Sequence, residues 1–275
     1  TIRHRFDAGR ILRYRMQLAG DTAWNPPLRQ ADRVQMATDF TFTLRAKTVR
    51  PGGACTFDLL GEALRSTGQT PAGRIDVAAG RGRSAVNLGG RQSIGLASGK
   101  SPLDGPMTIT FGPRGEFRFG TGLVPLVIFM LPHVDHRFWN LLAVAPLQPV
   151  APGDEWDVDF EVPVPGSEGR PLSIEGLWEV LQPERHGRRE VLPIELTATL
   201  DLTDANVLLK NGDRIHVSSG NSHASGRALW DVEAELLASA TAEQSILITA
   251  DRPVRRTLQS RNRCSLRLLG VQEPE

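Results

Sequence analysis

Apolar and polar residues trade places at every second position along most of the chain, and that alternation constrains the fold more than any motif. In "DFTFTLRAKTV" the residues Phe40, Phe42, Leu44 and Ala46 share one parity. In "RILRYRMQL", Leu12, Tyr14 and Met16 oppose Arg13, Arg15 and Gln17. Trp156, Val158, Phe160 and Val162 oppose Asp157, Asp159 and Glu161 in "EWDVDFEVPV". A period of two is the mark of a strand with one face in a core and one in water. Turn residues punctuate these runs. Pro51-Gly52-Gly53 separates "DFTFTLRAKTV" from "ACTFDLLGEAL", which predicts a hairpin, and Gly112-Pro113-Arg114-Gly115 does the same between "MTITF" and "EFRFG".

The second half continues in the same style through "LSIEGLWEVL", "VLPIELTATLDL", "RALWDVEAELL", "SILITA" and "RRTLQSRNRCSLRLLG". The pattern predicts roughly a dozen strands at sandwich or barrel spacing. The expected fold is therefore mostly β: a large antiparallel sheet, rolled as a half-barrel or folded as a sandwich. Residues 66 to 106, rich in Gly, Ser and Arg, read as weak strands with long loops. A turn-rich stretch at Gly166 to Arg170 divides residues 1–165, a β-meander with a helix, from a C-terminal β part at 166–275 that continues the same body.

One segment departs from this pattern. Val127, Leu131, Val134, Phe138, Leu141 and Ala145 recur at steps of four and three, the stripe of an amphipathic helix. Pro132 suits a first helical turn and Pro146 a stop, so one helix at about 132–145 is expected to pack across the sheet. Residues on its apolar side and in the greasy "GLVPLVIFML" before it could line a cavity between helix and sheet: Val127, Phe129, Phe138, Trp139 and Leu142. His133, His136, Arg137 and Asn140 occupy the opposite side, where a partner could touch them.

Enzymatic constellations find little support. His133 and His136 are three apart with no Glu between them, unlike the H-E-x-x-H zinc pair, and Asp135, His186, His216 and His223 offer no ligand spacing. "GLASGKS" puts Gly95 one residue too near Gly99 for a phosphate loop, and Pro102 replaces the helix start. "SSGNSHASG", Ser218 to Gly226, lacks the G-x-S-x-G elbow and reads as a polar loop, whatever Asp204, Asp213 or Asp231 could add. The acids Asp154, Glu155, Asp157, Asp159 and Glu161 follow one strand's outer parity instead of converging across a cleft. No cofactor is expected.

With 32 Lys and Arg against 31 Asp and Glu, the formal charge of +1 provides no field for nucleic acid. The basic "RPVRRTLQSRNRCSLR" places Arg255, Arg261, Arg263 and Arg267 on one parity, a solvent-facing or anionic-partner face. No apolar run is long enough for a transmembrane helix. A chain opening "TIRHRF" reads as a trimmed, exported product, periplasmic or extracellular, with a lipid anchor on a missing N-terminus as one form this could take. Cys55 and Cys264 each fall on an apolar parity, either as two buried thiols or as a disulfide in an oxidising compartment.

The step "PLQPVAPGDEW", with Pro146, Pro149, Val150, Gly153, Asp154 and Trp156, resembles a P-x-x-P-V-x-x-G-D-x-W step in a loose group of uncharacterised exported bacterial β-rich proteins; "SGRALWDVEAELL" is similar to their later strands. The architecture is also similar to the half-barrel of periplasmic lipoprotein carriers. These resemblances imply structure and carry no catalytic residues. The expectation is a non-enzymatic envelope protein that binds an apolar or lipid-like ligand or docks on a membrane complex as an accessory subunit. The alternative is a hydrolase or metal enzyme using His133 and His136 or the 216–223 segment.

Overall fold

The computed structural model describes residues 2, 6–25, 33–70, 73–80, 83–88, 91–93, 103–105, 107–112, 117–119, 149–162, 172–187, 189–201, 205–208, 214–251 and 255–274. Sixteen strands appear among them, all in one antiparallel sheet. The first six form a meander: β1 (Ile11–Asn25), β2 (Arg33–Val49), β3 (Cys55–Thr70), β4 (Gly73–Gly80), β5 (Arg83–Leu88) and β6 (Arg91–Ser93). The chain returns through β7 (Met107–Phe111) and β8 (Phe117–Phe119), then starts a second meander at the far edge. That one comprises β9 (Glu155–Val162), β10 (Leu172–Val180), β11 (Glu184–His186), β12 (Arg189–Asp201), β13 (Ala205–Leu208), β14 (Arg214–Asp231), β15 (Leu236–Ala250) and β16 (Arg256–Gln272). The main path runs β6-β5-β4-β3-β2-β1-β16-β15-β14-β12-β10-β9. The two meanders thus meet at the centre, where β1 and β16 pair from Ile11–Gln272 to Asn25–Thr257.

Two long strands fork the sheet. β3 pairs with β7 through Cys55–Leu59 and with β4 through Ala63–Thr70, on the same side. β14 does likewise, with β13 through Arg214–Val217 and β12 through Asn221–Asp231. The predicted hairpins are present. Between β2 and β3, Gly52 and Gly53 adopt φ values of 100° and 92°, closed by Arg50 N–H to the Ala54 carbonyl at 2.8 Å. These are angles that residues with a Cβ avoid.

The strands alternate as the sequence does, and one face is buried along all of them. Its core contains Leu12, Tyr14, Met16, Phe40, Phe42, Phe57, Ile109, Trp178, Leu196 and Trp230. Off-strand residues Ile2, Phe6 and Leu103 join it, with Val150 packed alongside. The Tyr14 hydroxyl donates to the Leu237 carbonyl at 3.1 Å, reaching past β16 to β15. The other face is polar and laced by cross-strand ion pairs. Arg13 grips Glu62 at 2.6 to 3.0 Å, Arg33 grips Asp21, and Arg263 meets Glu243 at 3.0 Å.

Two expectations change. The segment from Ser66, read as weak strands with long loops, is mostly strand as far as Ser93: β3 runs through Thr70, and β4, β5 and β6 follow in close succession. "SSGNSHASG" is the middle of β14, laddered on both sides by β12 and β15. No helix occurs among the described residues, and the segment expected to form one at 132–145 lies outside them. The turn-rich boundary at Gly166 to Arg170 also lies outside them, while the central β1–β16 ladder joins residues from both expected parts into one sheet.

Candidate binding face

The described residues place chemistry in two faces of very different character. On the outer one, charges are solvated and paired. Asp39 accepts from Arg15 Nε at 3.0 and 3.1 Å and from Gln17 at 3.2 Å, and its carboxyl is held below the ordinary carboxylate range chiefly by the Arg15 hydrogen bond. Asp21 is lowered in the same way by Arg33. Shallow grooves run across this face between the side-chain rows, one floored by Ala19 and Ala37 and another beside His223, Ser245 and Arg261.

The buried face is organised in rows that cross the strands, and two halves differ. Between β1 and β3 the rows hold large side chains. Phe6, Phe57 and Phe111 meet edge-on or tilted at centroid separations of 5.0 to 5.9 Å, and Phe40 stacks on Phe42 at 5.0 Å. Along β14 and β15 the side chains are small, Ala224, Gly226 and Ala228 beside Ala240 and Ala242, and the same rows continue on β12 through Ile194, Leu196 and Ala198. Beyond this small-residue floor comes a polar band. Ala224, Gln244, Asn262 and Gly20 form one row; Ser222, Ile246, Ser260 and Thr22 form the next. Ser222, Gln244, Ser260 and Asn262 are all buried. Thr22 and Ser260 pair through their hydroxyls at 2.7 Å, whereas Ser222 Oγ and Asn262 Oδ1 have no hydrogen-bond partner.

Buried formal charge lies at the opposite end of the sheet. Arg10 donates to the Ala234 carbonyl at 3.3 Å and to Glu273 at 2.9 Å. Asp231 accepts from the Ala234 amide at 2.9 Å and from Arg189 at 3.1 Å. Both pairs fasten the β14–β15 turn.

The residues singled out from sequence fall as follows. Val127, Phe129, Phe138, Trp139 and Leu142, and also His133, His136, Arg137 and Asn140, lie outside the described residues. His223 points from β14 to the exposed side, away from Ser222, because neighbours on a strand face opposite ways. His186 is exposed beside Glu184. Among the described residues no group of three or more His, Cys, Asp or Glu could hold a metal. "PGDEW" is a structural turn: the Ala151 amide donates to Asp154 at 2.7 Å and the Gly153 amide to the Val180 carbonyl, after which Trp156 stacks on Trp178 at 6.1 Å.

Cys55 and Cys264 are free, buried thiols, each pushed up to about 12 by burial. The row of Cys264 runs through Leu18 and Thr38 to Ser66, leaving Cys55 three strands away and far along β3. Ladder spacing puts the two Cα atoms tens of ångströms apart in the plane of the sheet, against about 7 Å for a bridgeable pair. Sequence reasoning missed Ser222, Gln244 and Asn262. The signal was present: Gln244 shares the parity of Ala240, Ala242 and Ile246, and Ser222 that of Ala224.

Fold and face together define a class, the antiparallel β protein built as one broad sheet with an apolar side. The chain is similar to a solved structure described as "lipid-protein interactions in lipovitellin", with a TM-score of 0.51 and 11% sequence identity. The match takes in 98% of this chain and 26% of that one, so the chain spans about a quarter of the lipovitellin chain it matches. At this identity the likeness is one of fold. No protein-family model matches the sequence, and no curated protein does.

Proposed function

We propose that the protein is a non-enzymatic binding protein that shelters an apolar, lipid-like ligand against the buried face of its sheet. The observation that carries this reading is the sheet itself. Every described strand belongs to one sheet, and one apolar cluster on its buried side reaches from Val77 on β4 to Trp178 on β10. Such a face stays out of water only by curling on itself or by lying against something else. The alanine and glycine floor along β14 and β15 supplies less side-chain volume than the aromatic half, which favours a guest there. The fold likeness to a structure concerned with lipid–protein interactions supports the same reading. Among the described residues no helix is long and apolar enough to cross a membrane.

In this proposal the protein works in the bacterial envelope, in the periplasm or outside the cell. The accessory-subunit form of the proposal has a packed interior and docks on a membrane complex through an apolar patch on its outer surface. Titration with a fluorescent lipid analogue separates the two. Saturable binding at a fixed stoichiometry is expected for a carrier. Absence of any binding would overturn the ligand reading and leave the docking one.

A further inference from the structure

The polar band across the apolar face is the feature that ligand-free packing does not account for. Ser222 and Asn262 are each 3% exposed, yet Ser222 Oγ and Asn262 Oδ1 have no partner. An unpaired buried oxygen is a standing cost, and a guest that supplies the missing hydrogen bond offsets it. The two residues lie two strands and one row apart, about 12 Å on ladder spacing, with Gln244 between them. Every buried polar side chain of the band is neutral, and the buried charges Arg10 and Asp231 sit at the other end of the sheet. A charged head would arrive there without a counter-ion in a low-dielectric site. An acceptor oxygen on Asn262 calls for a donor on the guest, and a hydroxyl on Ser222 can satisfy either role.

Resting on the apolar-ligand reading, we infer that the guest is a neutral lipid with a hydroxyl-bearing head, its terminal hydroxyl donating to Asn262 Oδ1, its ester carbonyl accepting from the Ser222 hydroxyl, and its chain over Ala224, Ala240 and Ala242. The test is competition for a fluorescent alkyl probe by 1-oleoylglycerol, oleate and hexadecane, using the full chain and the variants Asn262→Leu and Ser222→Ala. The neutral glycerol lipid should compete best. Each variant should weaken it about five- to tenfold, the worth of one hydrogen bond, while hexadecane is unaffected. Melting temperatures of the ligand-free variants should hold or rise, because an unpaired oxygen has been removed; a merely structural role would lower them and overturn the inference. Preference for oleate, or equal competition by all three with both variants unchanged, would also overturn it while leaving apolar binding intact. Failure of the alkyl probe itself to bind would instead bring down the underlying reading.

Discussion

The halves of the sheet on either side of the central β1–β16 pair bury the same face with opposite means. In the first meander the space over the strands is filled by rings: Phe6, Phe57 and Phe111 interlock, and Phe40 and Phe42 stack beside Tyr14. In the second, the middle of β14 and β15 presents alanines and a glycine, between Trp230, Leu236 and Leu237 at one end and Ile246 and Ile248 at the other. A sheet built from one pattern thus buries large side chains on one side and small ones on the other, where Ala224, Ala228, Ala240 and Ala242 are 1–2% exposed. The difference shows that alternation sets which face is buried, while side-chain volume is free to differ from one half to the other.

Substitution tests this contrast most sharply. Phe57→Ala, in the aromatic half, should cost about 3–5 kcal/mol in chemical denaturation, since Phe57 is 1% exposed and touches two other rings. Ala242→Leu, in the other half, should cost about 1–3 kcal/mol, since Ala242 is itself 1% exposed, and should abolish binding of the lipid probe. A cost for Ala242→Leu beyond that of Phe57→Ala would mean a floor already filled, and the contrast would collapse.

The two thiols give a second, smaller effect. Both are raised to about 12 by burial, so the folded state keeps protons that the unfolded chain loses. Their contribution is intact below the unfolded thiol value near 8.5 and is lost as pH rises toward 12, at about 1.4 kcal/mol per unit for each fully shielded thiol. Urea midpoints measured from pH 8 to 11 should fall accordingly. With a thiol reagent at pH 8, Cys264, in the row with Ala242, should react before Cys55, and bound lipid should slow only Cys264. Equal rates would erase the distinction between the halves.

The outer face should respond least. Removing the Arg15–Asp39 pair by Asp39→Asn should cost no more than about 1 kcal/mol, as exposed pairs do. Because the folded Asp39 carboxyl is lowered, its contribution exists above the unfolded value of about 3.9 and is lost as pH falls through the folded one. Comparing acid denaturation of the variant with that of the parent checks this sign.

The strands with strong apolar alternation were legible, because Phe40, Phe42 and Leu44 or Trp178 and Val180 can sit together only on a pleat. Strand length was less so. Ser218 to Gly226 has loop composition, yet its pairing with strands on both sides overrides weak intrinsic preference. Gly68, in the stretch read as weak strands with long loops, sits inside β3: a Cβ there would lie 2.3 Å from the Gln35 carbonyl, so the glycine is what lets β2 and β3 close. The binding face eluded residue-by-residue reading because it is made of alanines and of polar residues whose meaning comes from cross-strand neighbours. Period-two parity could have flagged Gln244 and Ser222; only register brings them beside Asn262.

The central pairing of β1 with β16 has a consequence for how the chain reaches this state. The meander from β1 to β6 forms from local hairpins as it leaves the ribosome, yet its β1 edge must wait for the most distant strand of all. Until β16 has been synthesised, each half carries an open edge beside an uncovered apolar side, the surface that chaperones hold and that aggregates recruit. The join that unifies the sheet is therefore also its slowest appointment: one zipper of fifteen paired positions closes both vulnerable edges in a single late event.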